Sequence, residues 1–401
     1  MAFKKLRKSY HATIVAACLG YITQAIMINF PPLLFLFFQN KMGLELWQVS
    51  LLITANFVTE LIVDVLASKY ASSVGYRPLV IIASFVSTVG LLSMFILPDL
   101  LPSTFFALTI SMICCGIGGG LMEVLISPIV EACPTKNKSG TMSILHSFYS
   151  WGTAGVVALS TVFFLIFGLD NWMIAAFFLA LVPFFNMFLF MYVPIYTLVP
   201  EDEEMKPKEL FSRKFFWLLV IMMMCAGATE IAMSQWASAF AETALGRSDL
   251  KWLTDLLGPC MFALCMAITR TLYGKLSERI NIEKAIFLSS LVCIVAYLIA
   301  IIAPFPAISL IGCGVCGIGA GILWPGSFSI ASSKMPKGGV FMFGMLALAG
   351  DFGCLAGPSV AGQISAIANG NLKIGFIFAI IFPILLSVIS FILILRNKKN
   401  K

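Results

Sequence analysis

The chain has 401 residues, of which 60% are hydrophobic and only 11% are charged, with a mean hydropathy of +0.98. A soluble globular domain needs a polar surface that this composition cannot supply. The composition therefore excludes a soluble enzyme and indicates an integral membrane protein.

Twelve apolar segments are each long enough to cross the roughly 30 Å hydrocarbon core of a bilayer as a helix. Runs such as AIIFPILLSVISFILIL lack the two-residue alternation that a β-barrel strand needs. We therefore predict an all-α membrane protein. The predicted spans cover residues 12–39, 47–70, 79–98, 104–132, 140–168, 172–197, 215–242, 252–275, 284–304, 306–332, 339–367 and 371–395.

The basic residues are spread unevenly among the loops. Most of the 26 lysines and arginines lie at the two ends of the chain and in every second loop, beginning with KKLRK near the N-terminus. Lysine and arginine favour the cytoplasmic side. We expect both termini in the cytoplasm and a multi-pass location in the plasma membrane, the inner membrane of a bacterium. The net charge of +7 then needs no nucleic-acid partner.

The most polar interior stretch, PEDEEMKPKELFSRK at 200–214, has six predicted spans on either side. It predicts a cytoplasmic linker between an N-terminal six-helix bundle, residues 1–199, and a C-terminal one, residues 215–401. An internal repeat supports two related halves, because CGIGGGLME at 115–123 recurs as CGIGAGILW at 316–324, an offset of 201. Small residues in such runs let membrane helices approach closely.

A weaker repeat relates the loops after spans 2 and 8. SKYASSVGYRP at 68–78 corresponds to GKLSERINIEK at 274–284, an offset of about 206 that also pairs Asp64 with Arg270. Opposite charges at equivalent depths suggest a cytoplasmic gate latch, although each could instead cap a neighbouring helix end. Glu278 and Arg279 complete the second loop as further gating candidates. The first loop lacks this pair of an acid and an arginine.

With these loops the whole chain resembles the major facilitator superfamily, whose pattern Gly-x-Leu-x-acid-Arg is matched at Gly274, Leu276, Glu278 and Arg279. LMEVLISPIV followed by MSILHSFYSWG resembles the fucose–proton symporter group, in which Glu123 and Pro128 occupy motif positions and His146 replaces a glutamine. The group also has an aspartate in span 1, where this chain has Asn29 and then Phe30. The resemblance implies a twelve-helix sugar carrier.

Four carboxylates fall near the middle of predicted spans: Glu60, Glu123, Glu230 and Asp351. A charged group at that depth costs about 2.5 to 3.5 kcal/mol, so each is a functional hypothesis. Burial also penalises the charged form of a carboxyl group, which favours proton exchange near neutral pH. We expect Glu123, Glu230 and Asp351 to couple to protons with His146 as a relay. The alternatives are a structural glutamate and a histidine that hydrogen-bonds between helices.

A sugar pocket needs hydrogen-bonding groups beside a flat aromatic face. The run ATEIAMSQWASAF at 228–240 provides both, and we expect residues of both halves to converge. The solute-binding candidates are Gln24, Asn29, Asn56, Tyr149, Trp151, Glu230, Gln235, Trp236 and Trp324. Asn56, Glu60 and Asp64 share one helix face, which could line a cavity or form a contact between helices. Trp47, Trp172, Trp217 and Trp252 lie at span ends, as interfacial anchors do.

The sequence thus predicts a secondary active transporter that moves a monosaccharide with a proton by alternating access. The alternative is a proton-coupled exporter of amphipathic compounds, for which 20 methionines and 35 phenylalanines would suit a roomy cavity. We predict no enzymatic activity, no cofactor and no metal ion. Cys313 and Cys316 form a CxxC motif, but no histidine or further cysteine pair at ligand spacing accompanies it, which favours packing over metal binding. The expected partners are the solute, the proton and the lipid bilayer, and the protein is expected to be a monomer.

Overall fold

The computed structural model describes residues 7, 9–200, 203–245, 251–369 and 371–399. The helices α1 to α12 carry the numbers of the predicted spans they fill. They are α1 Tyr10–Asn29, α2 Leu46–Val74, α3 Tyr76–Leu100, α4 Thr104–Ala132, α5 Lys138–Phe167, α6 Trp172–Tyr192, α7 Lys214–Leu245, α8 Lys251–Leu276, α9 Ile282–Ile302, α10 in two pieces, Pro306–Ala320 and Leu323–Lys334, α11 Gly339–Ile367, and α12 in two pieces, Leu372–Ala379 and Ile381–Lys399.

The prediction of an all-α protein with twelve transmembrane helices is confirmed. Eleven helices among the described residues are long and apolar enough to cross a membrane, and α8 fills the remaining predicted span. Their outer faces expose large apolar side chains such as Phe178, Leu159 and Ile302, which are 62%, 71% and 73% exposed. Apolar surface of this extent suits contact with lipid and not with water.

Three predicted spans differ in detail from the helices. The first ends at Asn29, because Pro31 and Pro32 cannot donate a backbone hydrogen bond, and a 3₁₀ turn at Pro31–Leu34 leads into a short helix at Phe35–Met42. The tenth is interrupted after Ala320 and the twelfth after Ala379. Short helices also lie at Pro207–Ser212 and, with 3₁₀ geometry, at Leu169–Asn171 and Ser277–Arg279.

By their internal contacts the residues group into two units. Unit 1 comprises residues 1–134, 155–204 and 339–344, and unit 2 comprises residues 135–154, 205–338 and 345–401. Two helices contribute to both, since α5 passes from unit 2 to unit 1 after Ala154 and α11 passes from unit 1 to unit 2 after Gly344. The predicted division into bundles at the 200–214 linker stays a prediction.

Aromatic side chains pack together in the core of unit 1. Trp172 is fully buried and packs edge-on against Phe38 and Phe95, with ring centroids 5.7 and 6.3 Å away. Trp172 was expected to be an interfacial anchor, and that expectation is wrong, because the short helix at Phe35–Met42 covers it with Phe37 and Phe38. Trp47 and Trp217 are about half exposed, at 55% and 49%.

Glycines allow close helix packing in each unit. A Cβ atom at Gly116 of α4 would lie 2.6 Å from the carbonyl oxygen of Asn56 on α2, and one at Gly120 would lie 3.1 Å from that of Glu60. We call this packing the N-terminal glycine seam. In unit 2, Cβ atoms at Gly317 and Gly321 of α10 would lie 2.5 and 3.1 Å from the carbonyl oxygens of Phe262 and Met266 on α8, the C-terminal glycine seam.

Candidate functional site

The N-terminal glycine seam holds the polar stripe of α2. Asn56, Glu60 and Asp64 are 8%, 5% and 0% exposed. Each lies beside a glycine of α4, and a Cβ atom added to that glycine would lie 2.9 to 3.3 Å from the side-chain oxygen of the α2 residue. The stripe therefore forms the contact between two helices. A role for Asn56 in solute binding stays a prediction.

Glu123 lies on the same helix as those glycines, about one turn after Gly120. Its Oε2 accepts a hydrogen bond of 2.5 Å from Gln24 Nε2 on α1, and Glu60 of α2 interacts with it electrostatically. Glu60 Oε1 is buried and has no hydrogen-bond partner among the described residues. Three helices thus bring two carboxyl groups and one amide together. Glu60 was noted in the sequence but not chosen for the site, because its distance from Glu123 depends on how α2 packs on α4.

The first helix supplies no further acid at this site. Phe30, where the fucose symporter group has an aspartate, is fully buried in the apolar core of unit 1 with Leu34 and Phe38. The Asn29 amide donates to the carbonyl oxygen of Ala25, one turn earlier in its own helix. Tyr21 hydroxyl and Ser127 Oγ are 2.7 Å apart, one turn beyond the Gln24–Glu123 contact on each helix.

In unit 2 the side chain of one buried arginine contacts residues on several neighbouring helices. Arg270 of α8 is 2% exposed and forms an ion pair with Glu230 of α7 at 3.4 Å. Its Nε donates to the carbonyl oxygen of Gly321 on α10 at 2.9 Å, and its Nη1 donates to Ser150 Oγ and to the carbonyl oxygen of His146 on α5. The sequence analysis chose Arg270, Glu230 and His146 but missed Ser150, which lies one helical turn after His146.

An aromatic group lies on α5 and α10 of the same unit. The His146 ring is 5.7 Å from the Phe328 ring, and the Trp324 ring is 6.3 Å from Phe328 in an edge-on arrangement. Trp324 is half-buried and lies against Gly350 of α11, where any side chain would overlap its ring. The next residue, Asp351, is also half-buried. The glycine thus leaves room for the six-membered ring of the Trp324 indole, and a role of Trp324 in solute binding stays a prediction.

The other predicted binding residues are less enclosed. Gln235 is exposed, and the Trp236 side chain lies outside the part of the chain that the structure describes. Trp151 is 40% exposed and donates to Thr271 Oγ1 at 3.1 Å, and Tyr149 is half-buried. None of these contacts tests a role in solute binding.

The gating candidates fall into two sets. Asp64 and Arg270 are both buried, whereas Glu278 and Arg279 are exposed in the 3₁₀ turn that follows α8. Nearby, Ser143 Oγ of α5 donates to the carbonyl oxygen of Arg270 on α8, and Asn137 Nδ2, just before α5, donates to Ser277 Oγ, just after α8. The latch between Asp64 and Arg270 remains a prediction.

Comparison with known proteins places this architecture in a family. The profile of the Major Facilitator Superfamily matches residues 13–358, so the chain belongs to that superfamily of transporters. No curated protein sequence matches the chain.

Solved structures share the fold at low sequence identity. A variant of the E. coli fucose:proton symporter FucP is 15% identical, with 96% of this chain and 98% of that chain covered and a TM-score of 0.76. FucP in an outward conformation is 15% identical, with 94% of this chain and 97% of that chain covered and a TM-score of 0.75. The proton:xylose symporter XylE bound to a brominated glucose gives 12% identity, 95% coverage of both chains and a TM-score of 0.80.

Proposed function

We propose that this transporter carries a monosaccharide across the bacterial inner membrane together with a proton. The observation that carries the proposal is the contact of Gln24 with Glu123, beside the buried Glu60. Two carboxylates in electrostatic contact repel each other when both are charged. The pair is therefore suited to holding one proton and one negative charge, and to releasing that proton when its surroundings change.

The amide of Gln24 fits this role because it can adapt to either protonation state. Its nitrogen donates to a charged carboxylate, and its oxygen can accept from a protonated one. A cation in the same place would hold Glu123 permanently charged. Amides and carboxyl groups also hydrogen-bond hydroxyl groups, so a solute hydroxyl bound to Gln24 or Glu123 would link proton binding to solute binding.

The solute side of the proposal rests on unit 2. Trp324 offers an aromatic face, and His146, Ser150 and Glu230 lie on helices tied together by Arg270. A flat apolar surface beside hydrogen-bonding groups suits the two chemical faces of a sugar ring. Solved symporters of fucose and xylose have the same fold, which is consistent with a sugar as the solute.

The experiment is uptake into proteoliposomes under an imposed pH gradient, preceded by a counterflow screen of fucose, xylose, glucose and galactose. We expect one of these sugars to undergo counterflow and to accumulate when the outside is acidic. Collapsing the gradient with a protonophore should abolish accumulation and spare counterflow. Uptake that ignores the protonophore would contradict proton coupling. Counterflow only of lipophilic cations would instead identify an exporter of amphipathic compounds.

A further inference from the structure

The contact between α1 and α4 in unit 1 contains two hydrogen bonds, one after the other along the helices. Gln24 Nε2 donates to Glu123 Oε2. About one turn nearer the end of α4, the Tyr21 hydroxyl lies 2.7 Å from Ser127 Oγ. Because residue numbers fall along α1 while they rise along α4, the two helices run in opposite directions, and these two contacts define their register.

A third polar side chain of α4 continues the same face. Glu131 lies four residues after Ser127, in the last turn of α4, and is 8% exposed. Residues four apart are neighbours on one face of a helix. The register sets Glu131 level with Ala17 of α1, which is fully buried. We call Glu123, Ser127 and Glu131, with Tyr21 of α1, the polar row.

In the other direction from Glu123, apolar side chains fill the contact. A Cβ atom at Gly119 of α4 would lie 3.8 Å from Cβ of Met27 on α1. Met27 and Phe30 of α1 belong to the apolar core of unit 1, together with Met112 of α4. Such side chains have no hydroxyl or carboxyl group. Of the two directions along this contact, the one toward Glu131 has the groups that can hold or pass a proton.

The end of α4 at Glu131 adjoins a loop that the charge pattern predicts to be cytoplasmic. Lys136 and Lys138 follow shortly after the last residue of α4, and lysine favours the cytoplasmic side of a membrane. The polar row therefore runs from the proposed proton site to the predicted inner surface.

The chemistry of the row suits proton transfer. A hydroxyl group can pass a proton because it donates one hydrogen bond and accepts others, and Tyr21 and Ser127 each supply one. Pro128 lacks an N–H, so the carbonyl group of Val124 loses its usual helix partner, which water or a nearby hydroxyl replaces in membrane helices. Successive groups on α4 are about one turn apart, roughly 5.4 Å of rise, which one water molecule bridges.

We infer that the polar row is the path by which the proton leaves Glu123 for the cytoplasm, with Glu131 as the group that releases it. The proton of the Glu123 carboxyl group passes to the hydroxyl of Ser127 or Tyr21, which gives up its own proton toward Glu131. Glu123 is left as a carboxylate, and protonated Glu131 then gives the proton to water. The inference rests on the proposed function, because a carrier without proton coupling needs no such path.

Sugar-coupled proton uptake into proteoliposomes tests this path. The vesicles hold a pH-sensitive dye, and the added sugar is fucose, xylose, glucose or galactose, whichever undergoes counterflow. We expect Glu131→Gln to slow proton uptake about tenfold or more, and Glu131→Asp, which keeps a carboxyl group, to retain most of the rate. Ser127→Ala should slow uptake less, because the Tyr21 hydroxyl remains. Counterflow should stay at the wild-type rate in all three variants, since exchange of sugar needs no release of the proton.

Ser111→Ala is the matched control. Ser111 is also a buried serine of α4, but its partner is Ser93 of α3, so we expect wild-type proton uptake. A proton-coupled wild type with unchanged proton uptake in Glu131→Gln would overturn the path and leave the proposed function intact. Counterflow that falls as far as proton uptake would show that Glu131 supports helix packing, which would also overturn it. A wild type that moves sugar without protons would contradict the proposed function and the path together.

Discussion

The two glycine seams have the same packing and different chemistry. Gly116 and Gly120 approach the backbone of Asn56 and Glu60, and Gly317 and Gly321 approach that of Phe262 and Met266, at carbonyl distances that agree within 0.1 Å. The offsets of 201 between α4 and α10 and of 206 between α2 and α8 apply to each pair. Each half therefore keeps one helix-packing register.

The side chains along these seams have diverged. Asn56, Glu60 and Asp64 correspond to Phe262, Met266 and Arg270, and Glu123 corresponds to Trp324. The first half thus buries carboxyl groups where the second has apolar side chains and one arginine. The comparison indicates that glycines allow the same packing in both halves, so the side chains beside them can differ as the proposed proton and solute roles would require.

The largest effect on stability should come from replacing Arg270, the buried arginine of the C-terminal glycine seam. Arg270→Met leaves Glu230 without its ion-pair partner, and breaking a buried pair in this way costs about 3 to 5 kcal/mol. We expect a clear drop in the midpoint of thermal unfolding in detergent. The double variant Arg270→Met with Glu230→Gln should recover part of the loss. Equal instability of the single and double variants would show that the pairing is not the cause.

A larger side chain in either glycine seam should destabilise the protein less than Arg270→Met, and by a similar amount in the two seams. Gly116→Val and Gly317→Val each force a side chain against a backbone carbonyl, and we expect each to cost about 1 to 3 kcal/mol of folding free energy. Gly155→Val is the control, because no atom lies within 4 Å of a Cβ atom there. A seam that tolerates valine while the other does not would contradict the shared packing.

The twelve helices and the internal repeat could be predicted from the sequence. Hydrophobic length predicts the twelve helices, and the recurrence of CGIGGG as CGIGAG predicts the repeat. It does not predict which face of α2 meets the glycines, because a polar stripe suits a cavity and a helix contact equally. The interruptions of α10 and α12 were also missed, since the spans were predicted from apolar length, which takes no account of Pro325 and Pro383 just after the two breaks.

Replacing the aromatic counterpart of Glu123 should weaken solute binding. Trp324→Ala removes the indole that packs against Gly350, and we expect the binding free energy of the proposed sugar to weaken by about 1 to 3 kcal/mol. Isothermal titration in detergent measures this, with the unfolding midpoint as a check on folding. Unchanged affinity would remove Trp324 from the site and would leave Trp236 as the candidate platform.

The smallest effect on stability is expected when Glu60 of the N-terminal glycine seam is replaced. Glu60→Gln keeps the shape of the side chain, removes repulsion with Glu123 and breaks no hydrogen bond at Oε1. We expect the folding free energy to change by less than about 1 kcal/mol. The midpoints of thermal unfolding of Glu60→Gln and Arg270→Met, measured side by side, test this difference. A loss as large as that of Arg270→Met would mean that Glu60 has a structural partner.

The site was predicted less completely than the fold, for a physical reason. Glu123, Glu230, Arg270 and His146 are visible as polar groups in apolar spans. The partners of Glu123 and Arg270, Gln24 and Glu230, lie on other helices, so their pairing depends on rotations about each helix axis that composition does not encode.

The central claim is that the carboxyl group of Glu123 carries the transported proton, and Glu123→Gln tests it most directly. The amide keeps the size of the side chain but cannot bind a proton, and exposed Glu209 provides the control variant Glu209→Gln. We predict that Glu123→Gln abolishes accumulation driven by a pH gradient in proteoliposomes and retains measurable counterflow, while Glu209→Gln keeps both. Accumulation by Glu123→Gln at the wild-type rate would contradict the account.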